Sequence, residues 1–289
     1  MRLFVFGLGY TSLAFLRHYK VHFSSVAGTV RSGDKARRLA GEGIEARVFD
    51  GNDPDPRIAA DIQRATLLLA SAPPGPTGDP ALAHFAEDIA AAPDLTWIGY
   101  LSTVGVYGDR GGEWVDETAQ PLPISRRSRE RLEAERQWLD LGRRSGKAVQ
   151  VFRLAGIYGP GRSALNRLAD GTSNSVVKAG QVFNRIHVAD IATVLMASIE
   201  RPRRGAIYNV ADDDPAPPQD VIAFAASLLG IDPPQQVPFA EADLTPMAAS
   251  FYAENKRVSN RLIKQELGVD LAYPTYREGL SALHTSTGP

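Results

Sequence analysis

The segment Leu3-Phe4-Val5-Phe6-Gly7-Leu8-Gly9-Tyr10-Thr11-Ser12 restricts the fold of this chain more than any other stretch. Four apolar residues run straight into two glycines separated only by Leu8, and residues 12–19 then carry a helical pattern. A buried strand, a tight turn and an opening helix in so short a span form the start of a βαβ unit. Each small residue has a physical task. Gly7 permits the tight turn, Gly9 lets backbone amides approach a pyrophosphate, and the third position needs a small side chain where helix and strand pack closely. That third position is Ser12, so the pattern is GxGxxS. The helix N-terminus adds free N–H groups and a positive dipole end, both favourable to phosphate. The alternative reading is a plain strand-to-helix turn.

The same alternation continues along the chain. Apolar runs predict strands at 3–6, 25–30, 46–49, 66–71, 96–102 and 149–154, with helices at 12–19, 34–40, 81–91 and 128–142. Short buried strands joined by helices imply an α/β protein with a Rossmann-type, doubly wound parallel sheet. After residue 155 glycine and proline punctuate 156–161, and Asp, Pro and Ala fill 211–218; helices recur at 189–199, 218–229 and 258–267. The predicted organisation is a dinucleotide-binding domain over 1–155, with 181–210 returning to it. A smaller C-terminal substrate-binding and capping region covers 156–180 and 211–289.

Composition removes whole classes of function. The 289 residues contain no cysteine, which excludes a disulfide framework, a thiolate metal site and a cysteine nucleophile. Lys and Arg total 32 against 33 Asp and Glu, a net charge of −1, so the basic field of a nucleic-acid or anionic-membrane binder is missing. No apolar run approaches the roughly 18 residues of a membrane span. The first ten residues lack a signal-peptide pattern. The expectation is a cytoplasmic protein with a small-molecule substrate and with neither nucleic acid nor membrane as partner; a homodimer stays open.

The second predicted strand ends in Thr29-Val30-Arg31-Ser32. An NAD-selective site places Asp or Glu there to accept the ribose hydroxyl, whereas this chain places Arg31, with Lys35 close by. A guanidinium clamps a 2′-phosphate that a carboxylate would repel, so NADP is favoured over NAD. The alternative is a solvated Arg31 in a basic loop.

Three further segments follow in order: Leu101-Ser102-Thr103-Val104-Gly105-Val106-Tyr107-Gly108, Arg153-Leu154-Ala155-Gly156-Ile157-Tyr158-Gly159-Pro160-Gly161 and Arg185-Ile186-His187-Val188-Ala189-Asp190. With the glycine turn, this set resembles the extended short-chain dehydrogenase/reductase family, the NAD-dependent epimerases and dehydratases of nucleotide sugars, over most of the chain. The resemblance implies a Rossmann-type fold and a cofactor site lined by Gly7, Gly9, Tyr10, Thr11, Ser12, Arg31, Ser32, Asp50, Ser71 and Ala72. Asp50 matches the acid that contacts adenine in that family. Thr103, three residues before Val106, matches the hydroxyl that hydrogen-bonds the reacting oxygen; alternatively it satisfies a local backbone group. His187 and Asp190 match a helix-start motif that is largely structural.

The resemblance also exposes a gap. The family's proton relay is Tyr-x-x-x-Lys on the helix after the fifth strand, and this chain has nine tyrosines but none between Tyr107 and Tyr158. Aligned on the trailing acid of the pattern, Arg127 stands for the tyrosine and Arg131 for the lysine. Deprotonating an arginine of pKa about 12.5 at pH 7 costs about 7 kcal/mol, so neither can relay a proton. They could hold an anionic substrate group, or lie on the solvated face of a charged helix. A Tyr252-x-x-x-Lys256 does occur, but far beyond the expected place. It reads as coincidence unless the C-terminal part folds Tyr252 over the nicotinamide. Asp116 and Glu117 are other acid/base candidates, or solvated loop carboxylates. The functional expectation is therefore an NADP-binding oxidoreductase or epimerase-like protein acting on a small polar, nucleotide-sugar-type substrate. The alternative is a non-catalytic NADP-binding redox sensor or scaffold.

Overall fold

Five of the predicted runs become strands β1 (Arg2–Phe6), β2 (Ser25–Val30), β3 (Glu45–Val48), β4 (Leu67–Ala70) and β5 (Trp97–Thr103) in the computed structural model, which describes residues 1–173 and 175–286. Two further strands, Ala148–Leu154 and Ala206–Val210, complete a seven-stranded sheet ordered Ala206–Val210, Ala148–Leu154, β5, β4, β1, β2, β3. β1 pairs in parallel with both β2 and β4, and β2–β3 and β4–β5 are parallel too. The strand order reverses between β1 and β4, the place where open α/β sheets bind ligands. Every residue of β4 and of Ala148–Leu154 is buried, as expected for strands covered by helices on both faces. This is the Rossmann-type fold that the alternation of the sequence predicts.

The helices joining these strands are α1 (Tyr10–Tyr19), α2 (Gly33–Gly41), α3 (Arg57–Arg64), α4 (Pro80–Ala91) and α5 (Arg126–Ser145). Phe4, Phe6, Ile58, Ile62, Phe85, Ile98 and Trp138 form the core they share with the sheet. α5 is fixed to the sheet by a buried ion pair: Glu135 meets Arg153 at 2.8 Å, with side chains only 2% and 3% exposed. The Ser102 hydroxyl donates to the same carboxylate. Among the described residues no helix is long and apolar enough to cross a membrane.

The chain forms two compact units, one of residues 1–103, 126–153 and 191–208, the other of residues 104–125, 154–190 and 209–289. Residues 104–125 and 181–190, placed with the first domain from the sequence, thus lie in the second unit. Backbone pairing is the reason. Trp114–Val115 is a strand paired with Arg257–Val258, and Arg185–His187 is paired with Gly156–Tyr158, both in parallel. Tyr158, Leu165, Val221, Ala225, Tyr276, Leu280 and Leu283 make up the core of this unit. The helix predicted over 258–267 begins only at Arg261, because Val258 is held in that strand pair.

Candidate functional site

The turn after β1 is held from three sides. Gly7 N donates to Thr29 Oγ1 at 2.8 Å and Leu8 N to the Thr29 carbonyl at 2.8 Å, tying the turn to β2. Ser71 N and Ala72 N donate to the Phe6 carbonyl at 2.8 and 3.0 Å, tying it to the end of β4. Gly7 has φ of 87°, and a Cβ on it would lie 2.9 Å from Ala72 N. Conformation and space both demand glycine there. Ser12, at the third position of the motif, is fully buried, and its hydroxyl donates to the Gly7 carbonyl at 2.9 Å. Serine therefore closes the turn from within α1 where the usual pattern relies on close packing.

Gly9 differs in kind. Its φ of −95° suits any residue, and a Cβ on it would meet nothing nearer than the Gly7 carbonyl at 4.0 Å. Neither strain nor packing within the chain requires glycine. What the missing side chain leaves is open space beside the first turn of α1. Gly9 is the N-cap of that helix, no side chain caps it, and its first turn, which includes Tyr10 and the buried Thr11, holds no acidic residue. N–H groups left without a side-chain cap at a ten-residue helix are suited to an anion.

At the end of β2 the charge is positive. Arg31 is exposed, and Ser32 caps α2 by accepting from Lys35 N at 3.4 Å. The Lys35 ammonium lies below the ordinary lysine value, first through partial burial and then through the nearby Arg38 and Arg31. Cations crowded in this way would be relieved by an anion. Asp34 is already paired with Arg37. Asp50 is exposed and forms a turn, Oδ1 accepting from Asn52 N at 3.0 Å and from Asn52 Nδ2 at 3.3 Å.

The residue expected to contact a reacting oxygen lies at the end of β5. Thr103 is the last residue of that strand and is half-buried. On α5, Arg127 is exposed, whereas Arg131 is half-buried and donates from Nη1 to the Leu101 carbonyl at 2.6 Å. The solvated-face reading thus fits the exposure of Arg127 and is corrected for Arg131. Four-residue spacing puts 127, 131 and 135 on one face of the helix. From that face Arg131 reaches the end of β5 and Glu135 reaches Arg153. Arg131, at the position the resemblance gives to a lysine, is a cation that donates to backbone.

The other candidates belong to the second unit, where each has local partners. His187 lies against the rings of Tyr158 and Tyr273, at 5.2 and 4.0 Å between centroids, and its Nδ1 accepts from Ala189 N at 3.3 Å. Asp190 accepts from Ala272 N at 2.8 Å and Tyr273 N at 3.1 Å, which anchors the approach to the last helix. Glu117 accepts from Asn209 N at 2.7 Å, and Asp116 closes a turn on Thr118. The Tyr252 ring packs against Phe183 and Phe239. Lys256 Nζ donates to the Gly108 carbonyl at 2.7 Å and to Glu254 at 2.6 Å. The Tyr252-x-x-x-Lys256 spacing is accounted for by these packing and hydrogen-bond partners.

No family profile matches the chain. It is 47% identical to a protein of Silicibacter pomeroyi, whose solved structure is described as that of a functionally unknown conserved protein. The two superpose with a TM-score of 0.90 over 100% of this chain and 99% of that one. The chain is 28% identical to Protein YeeZ of Escherichia coli K12 over 280 residues, which cover 93% of this chain and 95% of YeeZ. It also shares the fold of dTDP-glucose 4,6-dehydratase from Bacillus anthracis, solved in complex with NAD: TM-score 0.79, 15% identity, 99% of this chain and 96% of that chain covered.

Proposed function

As an atypical member of the extended short-chain dehydrogenase/reductase (NAD-dependent epimerase/dehydratase) family, in one family with the Silicibacter pomeroyi protein, the chain is, we propose, an NADP-binding oxidoreductase or epimerase-like enzyme acting on a small polar substrate of the nucleotide-sugar class. The carrying observation is Gly9, a glycine that neither backbone conformation nor packing requires. Open space beside an uncapped helix N-terminus fits a pyrophosphate. In this reading the backbone of Gly7, Gly9, Tyr10, Thr11 and Ser12 holds the pyrophosphate. Ser71 and Ala72 line the dinucleotide, Asp50 meets the adenine end, and Ser32 keeps α2 in place beside the ribose.

Arg31, with Lys35, takes the 2′-phosphate. The Bacillus anthracis dehydratase is solved with NAD, and Arg31 is the residue that turns the preference here toward NADP. When bound, the nicotinamide supplies hydride chemistry. Thr103 orients the reacting oxygen by a hydrogen bond from its hydroxyl. Titration of the purified protein with NADPH and NADH, read by nicotinamide fluorescence, tests the cofactor. Arg31→Glu should weaken NADPH by about 10- to 100-fold, the value of one or two charge-assisted hydrogen bonds. NADH should change by no more than a few-fold; equal losses for both would sink the phosphate clamp. Substrate-dependent change in nicotinamide absorbance across a panel of carbonyl compounds and sugar nucleotides tests catalysis. With an active substrate in hand, Thr103→Val should lower kcat by about a hundredfold, as loss of an oxyanion donor does. Unchanged kcat would remove Thr103 from the chemistry.

A second reading, a non-catalytic NADP-binding redox sensor or scaffold, is favoured by Arg131, whose link to the Leu101 carbonyl replaces half of the proton relay. Binding of NADP and NADPH without turnover, with a protein partner whose affinity depends on which is bound, would support it. Equal partner affinity with and without nucleotide would count against it.

A further inference from the structure

Within the second unit, the paired strands Trp114–Val115 and Arg257–Val258 contribute to the wall of a hollow of about 450 Å³. Its lining includes Trp114, Asp116, Asp212, Asp213, Asn260 and Arg261, none of which belongs to the proposed dinucleotide site. Most of the polar lining is already engaged. Asp213 accepts from Lys264 Nζ and from Asn260 Nδ2, both at 2.6 Å, and Asp116 accepts from Thr118 N at 2.9 Å.

Asp212 is the exception. It is 2% exposed, and among the described residues its Oδ1 accepts only from Asp214 N at 3.3 Å and its Oδ2 has no hydrogen-bond partner. Arg185 acts on it through space, and its Nη1 donates to the carbonyls of Phe183 and Ala216 at 2.9 and 3.0 Å. Burial pushes the Asp212 carboxyl up to about 8, so it is largely protonated at neutral pH and an ammonium that pairs with it must displace that proton. A buried oxygen without a donor is costly and uncommon in a folded protein. Trp114, on the same hollow, is 59% exposed although it sits in a strand. An accessible indole face attracts cations. The lining carries three carboxyl groups and the Arg261 guanidinium, with Lys264 paired to Asp213.

We propose that this hollow binds a small organic ammonium ligand, seated on the Trp114 indole and donating its N–H groups to Asp212. An ammonium supplies the counter-charge that lets this carboxyl give up its proton, and a donor for Oδ2 once it has. A neutral alcohol would bring a donor without the charge.

Trp114 provides its own reporter, since the other two tryptophans, Trp97 and Trp138, are fully buried. The full-length, nucleotide-free protein is titrated with 1,4-diaminobutane and, in parallel, with 1,4-butanediol, following tryptophan emission and the heat of binding. The diamine should saturate with a Kd below about 1 mM, and the diol of equal length should bind at least about tenfold more weakly. Asp212→Asn keeps the shape but cannot ionise against the ligand, and should weaken the diamine about tenfold. Trp114→Phe should abolish the emission change and lower the affinity measured by heat. No saturation by about 10 mM, diol binding as tight as diamine binding, or wild-type affinity in Asp212→Asn would each overturn the proposal. Should Asp212→Asn fail to fold, as a thermal melt would show, the diamine and diol comparison on the wild-type protein decides alone. NADPH binding is measured separately, so either reading can fail without the other.

Discussion

Gly9→Asp is expected to cut NADPH affinity by at least about a hundredfold while leaving the protein as stable as before, or slightly more so. The two halves of that result have separate causes. An aspartate at position 9 fits the backbone, because φ is −95° and the Cβ position is open. It would also serve as an N-cap of α1 and favour the positive end of the helix dipole, worth about 0.5–1 kcal/mol. In the proposed site the same carboxylate would occupy the place of the pyrophosphate and repel it, and the N–H groups of the first turn would bond the aspartate instead. Fluorescence titration with NADPH reads the first half and thermal melting the second. Retention of binding would remove the turn from the cofactor site. Loss of binding together with a large fall in Tm would instead make Gly9 a structural glycine. Gly7→Ala is the contrasting control. With φ of 87° and Ala72 N at 2.9 Å from the new Cβ, it should lose stability outright.

Glu135→Ala should lower the free energy of unfolding by about 3–5 kcal/mol. Arg153 is 3% exposed, and removing the carboxylate at 2.8 Å takes away the anion that offsets its buried charge. The Ser102 hydroxyl loses its acceptor at the same time. Urea unfolding followed by circular dichroism measures the loss. Replacing both Glu135 and Arg153 by methionine should recover most of it, because a buried pair contributes little over apolar side chains of similar volume. A loss below about 1 kcal/mol for Glu135→Ala would show that the pair is solvated and worth no more than a surface ion pair.

Much of the first unit was legible because its central strands are buried on both faces. Runs such as Leu3–Phe6 and Leu67–Ala70 are uninterrupted apolar sequence, and burial is the only outcome open to them. Gly7 and Ser12 could be placed by the same reasoning, since their tasks are local. What escaped depends on distant residues. α3 reads Arg-Ile-Ala-Ala-Asp-Ile-Gln-Arg and presents only Ile58 and Ile62 as large apolar anchors, so its helical face is thin. Trp114–Val115 and Arg257–Val258 are strands only because they pair across more than a hundred residues of sequence. Ala206–Val210 carries Asn209 within it, which breaks its apolar run. Arg131 looked solvated on a helix so rich in charge, and only the nearness of the β5 carbonyl shows its use. The signal that could have found it was Glu135 four residues on, since a helix face that buries one charge reaches the sheet nearby.

The division into two units has a consequence for how the protein can be made and altered. The chain passes from one unit to the other after residues 103, 125, 153, 190 and 208. Neither unit is a continuous stretch, so no terminal deletion yields either one whole. During synthesis the first unit lacks its last strand until residue 210 of 289 has been added, which delays closure of the sheet edge and raises the contact order of folding. The interleaving also restricts recombination. A relative could exchange its second unit with this chain only through several simultaneous crossovers, which leaves point substitution as the readier route to a new substrate.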